Sequence, residues 1–505
     1  MKNRPWKLLA MVAVSSLLCG GTAPAQIAST STTRTPADAA GMRPSATGAA
    51  YVDNAVYQDE GRTPFEEEPT EAPTPGEATV ISPPEGVYDA GPPDPFGSSF
   101  AGDYDGAAGF SDACDAGSCR PRGNCGLGSS KRSFTVGAWI EQGITTKAAP
   151  TPDRFNGPVT FNDRDGEWQG NQIWVFAEEA VDNNGCGWDV GGRVDFFYGT
   201  DARFTQARGL EQRGDGSDKW NSERFYGISL PQAYMDVAYN DLTVRMGRFF
   251  TTIGYETIPA PENFFYSHAY VMQYGEPFTH TGLLATYRLN SHTCISGGFD
   301  RGWNNWEDNN DDLSFLGGMA STSHDGRTTL GYSISVGRYD DAGEHTRSLS
   351  SIVFTRQVTD RLMYVLQHDY GVDRGGGFGG QARAVPSAEW YGLNQYLIYE
   401  LNPCWSFGAR LEWFRDDDGA RVGGLGSPHG WTLGPNQALD EQGFAGNFYE
   451  VTLGLNWRPT EKIVVRPECR WDWYQGLTDA NGRLPFDSGT RDSQFTFGTD
   501  LIVVF

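Results

Sequence analysis

Between Lys462 and Tyr474 the side chains alternate in kind. Arg466, Glu468, Arg470 and Asp472 fall on every second position, with Val465, Pro467, Cys469, Trp471 and Trp473 between them. The same spacing groups Arg193 with Asp195, Gln232 with Asp236, Arg410 with Glu412 and Glu450 with Arg458, and adds Arg245 and Arg288. Guanidinium and carboxylate rows have two uses. Paired, they stiffen the wall that carries them. Facing one another across a gap, they set a transverse field that favours polar over apolar solutes. Neither use needs a nucleophile or a proton shuttle.

Signals for reaction chemistry are weak. Gly375-Gly376-Gly377-Phe378-Gly379-Gly380 has the spacing of a dinucleotide fingerprint, but no helical pattern follows it, so it reads as a loop. Gly126 to Lys131 lacks the spacing of a phosphate loop, and the seven histidines form no HExxH pattern. Cys114, Cys119 and Cys125 would make a zinc half-site without a nearby fourth ligand, since no histidine precedes His268. A local disulfide suits them better, and the odd count left after the leader implies a free thiol or an intermolecular bridge. Asp308 to Asp312 and Asp416 to Asp418 could bind calcium, but solvated acidic loops explain them as well. No enzymatic activity, cofactor or metal is expected.

The elements that must hold these charges are strands. Tyr449, Val451, Leu453, Leu455 and Trp457 share one face of 446–458, and Phe448, Glu450, Thr452, Gly454, Asn456 and Arg458 the other. Apolar residues flanked by aromatics on one face, with charges of both signs opposite, suit a strand between lipid and water. Sixteen such segments run from 133–143 through 293–303 to 493–505. Short turns such as Asn240-Asp241, Asn290 to His292 and Asn402-Pro403 alternate with longer connections. Strict alternation and an even count predict an all-β fold, a transmembrane antiparallel β-barrel of about sixteen strands. The last segment carries Phe495, Phe497, Thr499, Leu501, Val503 and the terminal Phe505 on one face, a pattern resembling the assembly signal of outer-membrane barrels.

The remainder of the chain fits an envelope protein. Lys2, Arg4 and Lys7 precede the apolar run Leu8 to Leu18, and Ala23-Pro24-Ala25 supplies a cleavage site, so 1–25 reads as a signal peptide. Residues 26–130 hold 16 acids, 5 bases and many Pro, Gly, Ser and Thr. Such a stretch cannot bury enough apolar area to order itself and reads as a disordered acidic arm. The barrel domain is then 131–505. A net charge of −25 across 505 residues excludes a generic nucleic-acid binder, which needs cations to displace phosphate counterions. No run outside the leader is long enough for a transmembrane helix.

Sixteen strands enclose more space than their own side chains fill, so an aqueous lumen is the default. The third long connection, 252–277, is unusually aromatic for an exposed loop, with Phe264, Phe265, Tyr266, Tyr270, Met272 and Tyr274. It is expected to fold into the lumen as a constriction, with Glu256, Glu262 and Glu276 facing the arginine row.

Several motifs carry a family resemblance over about 130–505. They are Gly247-Arg248-Phe249, Ile253 to Glu256, Pro261 to Ser267, Gly275 to Gly282, Arg301-Gly302-Trp303, Glu307 to Asn310 and Leu313 to Gly318. They resemble the OmpL-like β-barrel porin family of outer-membrane proteins. The resemblance implies an outer-membrane diffusion channel for small polar solutes, embedded in lipid, inserted by the barrel assembly machinery and possible as a homotrimer. A non-conducting surface receptor or adhesin, or an envelope tether acting through 26–130, is the rival expectation.

Overall fold

The computed structural model describes residues 134–148, 154–183, 185–213, 217–220, 225–308, 310–338, 345–374, 387–423 and 443–505. The segments expected to be a signal peptide (1–25) and an acidic arm (26–130), with Cys114, Cys119 and Cys125, and the stretch Gly375 to Gly380 lie outside the described residues.

Period-two patterning produces strands where it was expected. They are β1 (Phe134–Lys147), β2 (Glu167–Glu179), β3 (Trp188–Gly199), β4 (Gly227–Tyr239), β5 (Leu242–Phe250), β6 (Thr279–Asn290), β7 (Thr293–Asp300) and β8 (Ser314–Thr322). The second half comprises β9 (Thr328–Arg338), β10 (Thr346–Thr359), β11 (Leu362–Arg374), β12 (Ser387–Asn402), β13 (Trp405–Asp416), β14 (Gly446–Thr460), β15 (Ile463–Gly476) and β16 (Ser493–Val504). Each strand pairs antiparallel with its sequence neighbour, and β1 closes the ring on β16 through pairs such as Trp139↔Val504 and Gly143↔Asp500. Closure removes every free edge, which a membrane span requires because lipid cannot satisfy backbone groups. The largest shortfall is in one segment. The run 293–303 stops at Asp300, because Gly302 takes φ +94° and turns Trp303 inward, where its indole donates to Ser335 Oγ at 3.2 Å.

Alternation sorts the two faces. Outward residues such as Val194, Met235, Leu283, Leu411, Leu453 and Phe497 are exposed apolar groups. Rings cluster towards both ends of the outer surface: Trp405 stacks on Trp457 at 5.8 Å, and Tyr449 on Trp473 at 5.2 Å. These are the girdles of a membrane barrel. Turns at one end are tight, as at Asn240 (φ 51°), while the long connections gather at the other. Phe505 ends the chain with its N–H donating to Ala138 O at 2.9 Å. Cys186 and Cys294 are disulfide-bonded, and Cys404 and Cys469 are free thiols.

Candidate functional site: a loop strapped across the lumen

The connection between β5 and β6, residues 251–278, is the site's centre. Pro259 and Pro261 confine its first limb to extended backbone broken by one 3-10 turn, Ala260–Glu262. The second limb winds into a single π-helical turn, Val271–Gly275. Its rings are inside: Tyr270 and Tyr274 are 0% and 2% exposed, Phe265 3% and Tyr266 2%. Each ring contributes about 1.5–3 kcal/mol of transfer free energy.

The wall grips this loop by its backbone. Glu468 of β15 accepts the N–H groups of Tyr266 and Ser267 at 3.0 and 3.1 Å. Glu412 of β13 accepts those of Tyr270 and Val271 at 2.6 and 2.7 Å. Arg466 donates to Ala260 O and Asn263 O at 3.0 and 2.6 Å, and Arg470 to His268 O at 2.5 Å. From β12, Trp390 Nε1 reaches Gly275 O at 3.0 Å, and Gln172 of β2 reaches Ile258 O at 2.8 Å. Near the start of the loop, Ser333 of β9 donates to Thr252 O at 2.7 Å. With the Tyr255 N–H donating to Gln367 of β11 at 3.2 Å, the loop is bound to β2, β9, β11, β12, β13 and β15. It crosses the lumen instead of fringing it.

Side chains complete the attachment. Tyr266 donates its hydroxyl to Asn171 at 3.0 Å, and Tyr270 to Asp472 at 2.9 Å. Burial raises both phenols well above their usual range, and neighbouring carboxylates push in the same direction, so both remain donors. Small wall residues make room for the loop. A Cβ at Gly408 would overlap the Phe264 ring, and one at Gly143 would lie 2.7 Å from the Tyr266 ring.

Glu256 is the loop's principal pin. Its carboxylate accepts from Arg410 at 2.7 Å, Tyr396 at 3.1 Å and the Ala269 N–H at 2.9 Å, with His268 Nδ1 at 3.1 Å. Ala269 lies on the returning limb, so one residue joins both limbs to β12 and β13. Burial alone would raise its pKa, but Arg410, His268 and the Ala269 amide outweigh burial and hold it down at about 2.

The charges picked out by sequence alternation all lie on the inner strand face, and most are paired. Arg193 contacts Asp195 and Glu178 at 2.7 and 3.0 Å, and Arg245 contacts Asp236 at 2.9 Å. Arg410 contacts Glu450 at 2.9 Å, Arg466 contacts Asp500 and Glu141 at 2.5 and 3.0 Å, and Arg470 contacts Asp472 at 2.8 Å. A buried guanidinium without a partner costs several kcal/mol, so the rows satisfy themselves first. Arg288 and Arg458 lie at the tight-turn end, where their backbone N–H groups donate to Asp241 O and Cys404 O.

The expected confrontation of three loop acids with the arginine row needs correction. Glu256 meets Arg410 at 2.7 Å. Glu262 is exposed and accepts from Thr257 Oγ1 at 3.2 Å, while Glu276 turns to Gln367 of β11. Sequence reasoning missed Gln172, Trp390, Gln367 and Gly408, which no charge alternation marks. It also missed the segment 154–166, which packs on the loop: Thr160 bonds Gln273, and Phe161 packs on His268 with centroids 4.4 Å apart. Among the described residues no group of three or more His, Cys, Asp or Glu could hold a metal ion.

Three similar solved structures are Vibrio cholerae OmpT (TM-score 0.46, 11% identity), an anion-selective porin from Comamonas acidovorans (0.46, 9%) and Pseudomonas putida OprB (0.46, 12%). Each alignment covers 74% of this chain, with 99%, 100% and 94% of the other protein. No curated protein sequence matches. Residues 133–505 match the family described as "Putative beta-barrel porin-2, OmpL-like". With a closed sixteen-strand barrel, an apolar outer face and that match, the chain belongs to the OmpL-like β-barrel porin family of the outer membrane.

Proposed function

We propose that the barrel is a passive diffusion channel for small polar solutes, and that residues 251–278 set its constriction. The observation that carries this reading is the loop's attachment to the inner wall by polar contacts to six strands, β2, β9, β11, β12, β13 and β15, inside a ring too wide for its own side chains to fill. A loop bound this way defines the aperture. The paired inner charges make the surrounding surface polar without a net row of one sign, which suits neutral and zwitterionic solutes. Acidic residues 26–130 are proposed as a periplasmic arm outside the channel. A homotrimer, contact with lipid along the apolar outer face, and recognition of the Phe505 terminus by the assembly machinery complete the proposal.

A second reading has one observation in its favour. The loop's rings are buried on both sides, so a barrel closed by its own loop and serving as a receptor is also consistent with the packing. Deleting 252–277 from the refolded protein discriminates between them. A constriction predicts that wild type conducts and that the deletion raises conductance while blunting ion selectivity. A plug predicts a silent wild type and a conducting deletion. Equal conductance in both would remove the loop from the account.

A further inference from the structure

The two ends of the strap meet at a pair of carboxyl groups that the channel reading does not use. Glu276, near the end of the loop, is 2% exposed, and Asp369 of β11 is 1% exposed. Gln367 Nε2 donates to Glu276 Oε1 and, at 3.1 Å, to Asp369 Oδ1. The same amide's oxygen accepts the Tyr255 N–H at 3.2 Å, at the start of the loop. Gly254 takes φ +88°, and a Cβ there would overlap the Glu276 carboxylate. Departing limb, returning limb and wall are thus fastened at one point.

The charge balance at that point is unusual. Glu276 and Asp369 converge on the one Gln367 amide nitrogen, and two buried carboxylates held that close without a cation repel unless one carries a proton. Among the described residues neither is ion-paired. The polar and charged groups facing them are Gln367 on β11, Ser351 on β10 (2.7 Å to Asp369 Oδ1) and Glu256 within the loop. Arg410 on β13 is committed to Glu256 and Glu450, and His368 points to the outer face. Asp369 Oδ2 is buried and finds no donor from any described residue, so a proton held on the pair has an acceptor waiting.

We infer that Glu276 and Asp369 form a proton-binding clip that fastens the neck of the strap while one proton is shared and releases it when that proton is lost. Burial, reinforced by the Asp369 charge, raises the Glu276 carboxyl well above its ordinary range. The fastened state therefore binds the proton more tightly than the released state. Fastening is fully favoured at acid pH and is lost as pH rises through the raised value. Loss of a single proton limits the steepness to about a tenfold rise in released fraction per pH unit. This inference rests on the constriction reading for its effect on conductance, but not for the clip itself.

The test uses full-length mature protein, wild type beside Glu276→Gln and Asp369→Asn, each of which keeps a hydrogen bond and removes one charge. Single-channel recordings from pH 5 to 9 should show wild-type opening becoming more frequent with pH, and both variants flat. Proteinase K cleavage within 252–277, mapped by mass spectrometry at pH 6 and pH 9, reads the clip without requiring conduction. Greater cleavage at pH 9 in wild type alone supports the clip even if the bilayer is silent, in which case the channel reading fails. Cleavage with the same pH ratio in all three proteins overturns the clip, whatever the recordings show.

Discussion

Replacing Glu256 with alanine removes a carboxylate that ties both limbs of the strap to the wall. Its loss costs Arg410 a 2.7 Å partner, leaves that guanidinium to Glu450, and strips an acceptor from Tyr396 and from the Ala269 amide. Two routes give the size of the effect. Removing one partner of a buried pair costs about 3–5 kcal/mol. Independently, lowering the carboxyl from 4.5 to about 2 corresponds to about 3 kcal/mol of preferential binding in the docked loop. The two routes agree near 3 kcal/mol, or about a hundredfold in the fraction of time the loop is undocked. Because the pKa is depressed, this stabilisation is complete above pH 4.5 and is lost as pH falls towards 2. The assay is proteinase K cleavage within 252–277 at neutral pH, with barrel integrity followed by heat modifiability. Cleavage should rise about a hundredfold in Glu256→Ala, and less in Glu256→Gln, which keeps an acceptor. Cleavage within twofold of wild type would refute the pinning argument.

Other perturbations probe separate parts of the account. Arg466→Met should strand Asp500 and Glu141 and release Ala260 O and Asn263 O, costing about 3–5 kcal/mol, visible as a lower urea midpoint for refolding into micelles. Gly408→Val should displace Phe264 and broaden the distribution of single-channel conductances while the far-ultraviolet spectrum stays that of a barrel. Deleting Phe505 should lower the amount of folded protein in outer membranes without lowering the stability of protein refolded in vitro, since Phe505 is 63% exposed. Equal loss in both settings would assign it a packing role instead.

The barrel was legible because strand period, turn length and face polarity repeat sixteen times, so an error in one segment is corrected by its neighbours. The π-turn and the reach of the strap were not. Glu468 bonds Tyr266 from 202 positions away, and such partners meet only because β16 closes on β1. Aromatic content pointed to a loop folded inward. The acids within it misled, because charge alone favours an arginine for Glu276, whereas the register of β11 brings Gln367 and Asp369 to it. Inward-facing glycines were the overlooked signal. At Gly408 and Gly143 an alternating strand omits a side chain at a position facing the lumen, and each vacancy receives a ring of the strap.

The central claim is that the lumen conducts and that the strap sets its aperture. Single-channel recording of the refolded mature protein in a planar bilayer, under a salt gradient, tests it most directly. The account predicts steady ohmic steps in wild type, and larger, less selective steps when 252–277 is removed. A folded, heat-modifiable wild type that never conducts would contradict it.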